Sequence, residues 1–346
     1  MQEIEEEQIE KFIQEHPKGH FLQSPKWAKV KSDWKNETIV IKDDDGKIQG
    51  YMSILLRKIP ILNRYIMYAP RGPVCDITDE DTFYKIMERS REIAKKYKAF
   101  ILRLDPDIPN NNEEFKAIAK KAGLKIKGNI KNISQVIQPK YVFRLDIKGK
   151  TEEEVLAMFS QKTRYNIKLS SKKGVTSRVG DKEDLKAFHT IMKETSKRDG
   201  FIIRPLSYYE KIYDTLGKHA RVIVAEYENE PIAAVFPIQY GNKVWYLYGG
   251  SSNEKRNLMP NYLLQWEMIK WAIEEKCDIY DFRGVSGFKD ENDPQYGVYK
   301  FKKGFNPEFI EFVGELYVVF RPVTNCIFNM MTSLYNFYKK IKYHRK

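Results

Sequence analysis

DIYDFRGVSGFKDENDPQYGVYKFKKGF, residues Asp278–Phe305, gives the first hold on the fold. Ile279–Phe282, with apolar residues flanked by charge, predicts a buried strand ending at Arg283 and Gly284. Ser286–Pro294 is rich in Gly, Asp and Asn and predicts an exposed, mobile loop. Tyr296–Phe305 sets Tyr296, Tyr299, Phe301 and Phe305 among Lys300, Lys302 and Lys303, the pattern of a short helix anchored by its aromatics. Lysines at the mouth of a cleft suit a phosphate or a developing oxyanion. On an open helix face the same lysines are simply solvated.

The strand has a counterpart in the first half. Ile101–Leu104 matches Ile279–Phe282 at an offset of 178 residues (101 against 279). Tyr68-Ala69-Pro70 matches Tyr248-Gly249-Gly250 at an offset of 180 (68 against 248). Asp45-Gly46-Lys47-Ile48, with the strand that follows, matches Asn229-Glu230-Pro231-Ile232. In each half a helix, Asp79–Tyr97 or Pro260–Lys276, lies between the last two strands. Each half therefore reads helices, antiparallel strands, a helix and a strand, and the steady offset marks a duplication. That order in mixed sheets is the acetyltransferase (GNAT) pattern. The expected fold is α/β (α+β): two tandem GNAT-like domains, with mixed antiparallel/parallel sheets flanked by helices. The expected boundaries are 1–144 plus 312–346 for the first domain and 145–311 for the second.

The rest of the chain fills in around this frame. Ile4–His16 predicts an amphipathic helix, and Trp27, Val30 and Trp34 lie three and four apart, as on one helix face. Thr151–Lys173 reads as two helices, the second strongly basic through Lys162, Arg164, Lys168, Lys172 and Lys173. Ile310–Phe320 predicts a single strand, and Ser333–Lys346 an aromatic, basic tail.

Composition narrows the function. At 346 residues two domains are expected, and 42% hydrophobic with 13% aromatic residues excludes general disorder. A net charge of +13 favours polyanionic partners: nucleic acid, phosphate-bearing metabolites or an anionic membrane face. Cys75, Cys277 and Cys326 are far apart with no CxxC pair, and the five histidines lack ligand spacing, so neither a disulfide framework nor a metal site is expected. The acidic N-terminus is the reverse of a signal peptide, and no apolar run reaches a bilayer-spanning length, so a soluble, cytoplasmic protein is expected. Acetyltransferases hold the pyrophosphate of coenzyme A on a glycine-rich loop before the middle helix. Pro73–Asp79 and Glu254–Pro260 occupy that place here, and neither has closely spaced glycines. The scaffold therefore reads as an acyltransferase whose donor is not coenzyme A, with no cofactor.

Several stretches, in this order, resemble the Fem family of peptidoglycan bridge-building aminoacyltransferases, and its short FemX-type members in particular. They are SPKWAKVKSDW (Ser24–Trp34), YAPRGPV (Tyr68–Val74), ILRLDPD (Ile101–Asp107), KTRYNIK (Lys162–Lys168), RDGFIIRPLSYY (Arg198–Tyr209), VWYLYGGS (Val244–Ser251), YLLQWEMIKWAIEEKCDIYDFRGV (Tyr262–Val285), YKFKKGF (Tyr299–Phe305) and GELYVV (Gly314–Val319). Longer members carry a coiled-coil arm in the second domain. Thr151–Lys197 is too short and interrupted to hold one.

The resemblance implies transfer of Gly, Ala or Ser from aminoacyl-tRNA to a side-chain amine on the stem peptide of UDP-MurNAc-pentapeptide or lipid II. By family position, Lys31 and Arg204 hold the precursor diphosphate, and Tyr208 and Tyr248 line the same cleft. Asp105 accepts or orients the amine's proton, and Lys302 meets the tRNA acceptor end or the developing negative charge. The first domain is implied to bind the precursor and the second the aminoacyl-tRNA. Ile202 departs from the family, which often has a small polar residue there. The plainer readings are a solvated helix lysine for Lys31, core packing for the tyrosines, and a strand-end turn cap for Asp105. The basic helix Lys162–Lys173 is a candidate tRNA path or a solvated face, and the tail Tyr335–Lys346 either meets an anionic inner leaflet or packs on the first domain. Two rival functions are an N-acyltransferase using acyl-coenzyme A and a non-catalytic tRNA- or membrane-binding protein.

Overall fold

The chain opens with α1 (Gln2–Glu15) and α2 (Pro25–Val30), then β1 (Lys35–Lys42), β2 (Ile48–Ile59), β3 (Arg64–Ala69), β4 (Val74–Cys75), α3 (Glu80–Lys96), β5 (Ala99–Leu104), α4 (Glu113–Lys121) and β6 (Lys125–Ile126). Next come β7 (Tyr141–Asp146), α5 (Glu152–Met158), α6 (Gln161–Lys172), β8 (Thr176–Gly180), α7 (Asp184–Asp199) and α8 (Leu206–Leu216). The series continues with β9 (Val222–Tyr227), β10 (Glu230–Tyr240), β11 (Lys243–Ser251), α9 (Pro260–Glu274), β12 (Ile279–Gly284), α10 (Tyr296–Lys303) and β13 (Glu308–Glu311). It ends with β14 (Leu316–Val319) and α11 (Pro322–His344). This is a computed structural model, and it describes residues 2–128, 136–287, 293 and 295–344. Most of the loop expected at Ser286–Pro294, residues 288–292 and 294, lies outside the described residues, as do the last two residues of the tail.

Contacts divide the chain into two units: Met1–Lys18, Leu22–Asn129 and Val313–Lys346 form one, and Gly19–Phe21 with Ile130–Phe312 the other. In the first, the sheet runs β1-β2-β3-β5-β14-β6, with β4 beside β2. In the second, it runs β13-β7-β12-β11-β10-β9-β8. Both are antiparallel except at one place. β3 and β5 run parallel across α3, and β11 and β12 run parallel across α9. Parallel neighbours need a long crossover, and each helix supplies it. The duplication read from sequence is therefore present in the strand order: β1-β2-β3-β5-β14 corresponds to β9-β10-β11-β12-β7.

Four expectations need correction. The boundary placed at 144/145 falls inside β7, whose hydrogen bonds go to β12 and β13, so the whole strand belongs to the second unit. The single strand expected over Ile310–Phe320 is two. β13 pairs with β7 in the second unit, Gly314 takes a left-handed φ of +90°, and β14 pairs with β5 in the first. Glycine reaches that conformation without a Cβ penalty, so the chain turns there and changes sheets. Helix α2 stops at Val30, short of Trp34, with Ser24 accepting from the Lys26 N–H at its start. The tail is longer than read, since α11 starts at Pro322.

Core packing follows the pattern of apolar residues. Phe83, Phe115 and Leu102 are fully buried in the first unit, and Trp245, Phe282 and Phe305 in the second. In the second unit Phe305 packs edge-on to Phe159 at 5.1 Å and tilted on Phe282 at 5.3 Å, fixing the end of α10 against β12. Among the described residues no helix is long and apolar enough to cross a membrane.

Candidate active site

In the second unit β11 and β12 pair only at Lys243–Ile279, Val244–Tyr280 and Trp245–Asp281, although both strands continue. Beyond that point the ladder ends, β11 carries a bulge opposite Phe236/Pro237, and β12 shifts register against β7. Bulges bend a strand and re-aim its side chains.

Lys302 enters where the strands part. Its Nζ donates to the Gly284 carbonyl at 2.8 Å and sits 5.6 Å from the centre of the Tyr246 ring. Local sequence explains the aim of this side chain. On α10, Tyr299 packs on Phe143 at 5.1 Å and Phe301 on Tyr262 at 4.9 Å, so those faces point into the core. Gly304 allows a tight turn onto α6, where its carbonyl accepts from the Ser160 N–H and the Thr163 hydroxyl. Of the three lysines, Lys300 and Lys303 are exposed and Lys302 is only 6% exposed. Burial disfavours the ammonium and lowers the Lys302 pKa to about 7. Asp281 opposes that shift and Arg283 adds to it.

The neighbours of Lys302 are themselves fixed. Asp281, buried, accepts from Arg144 Nε at 2.9 Å and from the Arg283 N–H at 2.7 Å. Arg283 has a left-handed φ of +64° and donates through its guanidinium to Gln138 at 2.8 Å. A non-glycine residue holds that backbone only when its surroundings compensate. Tyr246 needs Gly249 beside it, because a Cβ there would meet the Tyr246 ring at 2.5 Å. Gly250 similarly leaves room for the Thr195 hydroxyl.

Three expected residues join this cluster. Tyr208 and Tyr248 are linked by a hydrogen bond between their side chains, and both hydroxyl pKa values are raised, chiefly by burial. Arg204 is exposed and lies 5.4 Å from the centre of the Tyr208 ring. The positive charges of Arg283 and Arg204 both act on Tyr248, tying the pair of tyrosines to the surroundings of Lys302.

The first unit holds a separate carboxylate cluster. Asp105, at the end of β5, accepts from the Tyr68 hydroxyl at 2.7 Å and from the Arg71 N–H at 2.8 Å. The Arg71 guanidinium donates to the Asp105 carbonyl at 3.2 Å. Burial raises the Asp105 pKa to about 6. Arg71 and Tyr68 pull it down, and the buried Glu315 pushes it up. Gln23 props the loop that carries Arg71: its amide donates to the Pro70 carbonyl at 2.8 Å and its oxygen accepts from the Ser53 N–H at 2.8 Å. Lys31 also lies in the first unit, at the end of α2, with its Nζ 5.2 Å from the Trp27 ring centre.

Arrangement by unit thus differs from a simple reading of the motifs. Arg204, Tyr208, Tyr248 and Lys302 share the second unit, while Asp105 and Lys31 belong to the first. Sequence reading passed over Tyr246, Asp281, Arg283 and Arg144, and in the first unit Tyr68, Arg71, Gln23 and Glu315. A signal existed for Asp281 and Glu315, because a charge inside an apolar run must find a partner when buried.

The FemAB family model matches residues 4–230 and 224–335. The lipid II:glycine glycyltransferase of Staphylococcus aureus strain USA300 is 28% identical over 416 aligned positions, covering 99% of this chain and 98% of the relative. Its Staphylococcus epidermidis counterpart, from strain RP62A, is 28% identical over 411 positions with the same coverage. Both alignments are longer than the 346 residues here, so these relatives carry segments that this chain lacks. The crystal structure of FemX superposes with a TM-score of 0.87 at 27% identity, covering 93% of this chain and 98% of that one. A tandem GNAT protein from the clavulanic acid pathway superposes at 0.50 with 11% identity over 83% of each chain, a likeness of fold. Matched across both of its halves, and built from two GNAT-like sheets in the manner of FemX, the chain belongs to the FemAB family.

Proposed function

We propose that this chain moves glycine, alanine or serine from aminoacyl-tRNA to the stem-peptide side-chain amine of UDP-MurNAc-pentapeptide or lipid II, in the cytoplasm, during interpeptide bridge synthesis. The observation that carries this reading is the buried Lys302 amine at the parting of β11 and β12, in a sheet of acyl-transfer type. The names of the staphylococcal relatives, which transfer glycine to lipid II, support the choice of acceptor.

The stem-peptide amine attacks the ester carbonyl carbon, and a C–N bond forms. Asp105, ionised above a pH of about 6, takes or orients the proton that the amine loses. Lys302 faces the oxygen that gains negative charge, or the acceptor end of the tRNA, and its cationic form is the useful one. Collapse breaks the C–O ester bond, and the ribose hydroxyl leaves with a proton. Arg204 and Lys31 suit the diphosphate oxygens of the precursor, with Tyr208 and Tyr248 lining its place. Lys162, Lys168, Lys172 and Lys173 on and after α6 are exposed, as a tRNA path requires.

Acyl-coenzyme A fits the scaffold poorly. Asp79 caps the N-terminus of α3 and is followed by Glu80 and Asp81, which repel phosphate, and α9 begins with Pro260, which has no N–H to offer. The test is transfer from labelled glycyl-, alanyl- and seryl-tRNA to the soluble nucleotide-linked pentapeptide and to lipid II. One donor should label one acceptor. Failure of all six pairings refutes the reading.

A further inference from the structure

The C-terminal helix carries a surface that the transfer reaction does not use. One side of α11 is held on its unit through Phe328, whose ring packs on Phe100 at 5.3 Å. The other side is apolar and bare. Val323 is 75% exposed, Leu334 66% and Phe337 65%, and Ile327, Met330 and Tyr338 are exposed beside them. At about 100° per residue these six side chains fall in one arc of about 100°, an unbroken stripe on one face. Exposed large apolar residues gathered in this way mark an interaction surface.

Charge decides what covers the stripe. Residues 322–346 contain no Asp or Glu, while Lys339, Lys340, Lys342, Arg345 and Lys346 follow the stripe in sequence. A second copy of the helix would bring like charges together and no acidic partners, against the pairing that helix–helix seams use. An anionic lipid surface satisfies both features. It buries the apolar side chains at the headgroup boundary and attracts the basic stretch, and Phe337 and Tyr338 are of the type favoured at that level.

We propose that α11 lies in the plane of an anionic lipid surface, with Val323, Ile327, Met330, Leu334, Phe337 and Tyr338 facing the acyl chains. The helix thereby keeps the protein where a lipid-linked acceptor is presented, a purpose that rests on the transfer reading although the contact itself does not.

The experiment is co-sedimentation of the full chain with vesicles of phosphatidylcholine alone, or of phosphatidylcholine with phosphatidylglycerol. Wild type should bind the phosphatidylglycerol vesicles, release with added salt, and bind the neutral vesicles less. M330E/L334E should lower vesicle binding by at least about tenfold, because two buried apolar side chains are lost. K339Q/K340Q should weaken binding only to the anionic vesicles. Both variants should keep wild-type transfer to a soluble acceptor, so failure of the transfer reading shows up in that assay and failure of this proposal in the vesicles. The proposal is overturned if wild type ignores phosphatidylglycerol, or if M330E/L334E binds as wild type does. It also falls if sedimentation velocity shows a dimer that M330E/L334E dissociates, since a second copy would then cover the stripe.

Discussion

Lys302→Met replaces a buried amine with an apolar side chain of similar length. The folded protein holds the Lys302 pKa at about 7, against an ordinary 10.5. That interval corresponds to about 5 kcal/mol of cost to folding when the amine is charged in both states. The hydrogen bond to the Gly284 carbonyl returns part of it, about 1–3 kcal/mol. Lys302→Met should therefore stabilise the second unit by about 2 kcal/mol at pH 6. The sign with pH is fixed. Above a pH of about 7 the unfolded chain still binds the proton and the folded one has released it, so wild type gains about 1.4 kcal/mol per pH unit until the ordinary value is reached. The advantage of the variant should shrink above pH 7 and vanish by about pH 9. Urea unfolding of both proteins from pH 6 to 9, followed by tryptophan fluorescence, measures this. A variant less stable than wild type at pH 6, or a difference that does not vary with pH, refutes the account of a strained, functional lysine.

Other predictions follow from the same two clusters. Asp105→Asn should lower turnover by about 100-fold and remove the limb of the pH–rate profile near pH 6; full turnover across pH 6 to 9 would exclude the base role. Arg283→Ala removes a positive charge that holds the Lys302 pKa down, so the alkaline limb of the profile, near pH 7 in wild type, should move to higher pH. In Gly249→Ala the new Cβ meets the Tyr246 ring at 2.5 Å, so denaturation should show a loss of about 1–3 kcal/mol.

Much of this architecture is visible in the sequence because it is doubled. The near-constant offset between Ile101–Leu104 and Ile279–Phe282 exposes the strand order without any single strong motif. The chain's change of sheet at Gly314 is hidden, because Ile310–Phe320 is mostly apolar on both sides of the glycine and a backbone conformation marks the division. Lys302 illustrates the limit at the site. Three lysines in eight residues look alike in sequence, and which one is buried depends on Tyr299 and Phe301 finding Phe143 and Tyr262. Tyr246 and Arg283 lie beyond pattern reading altogether. Their importance comes from strands that part and from a left-handed residue, neither of which leaves a spacing to read. The carboxylate cluster is half legible: Asp105 ends a predicted strand, but the Arg71 N–H and Tyr68 hydroxyl that hold it arrive from another loop and strand.

The most direct measurement pairs single-turnover aminoacyl transfer by Lys302→Ala with calorimetric titration of the nucleotide-linked pentapeptide. The account predicts transfer slowed by at least about 100-fold with the pentapeptide bound as tightly as by wild type. Undiminished transfer, or loss of pentapeptide binding in its place, would contradict it.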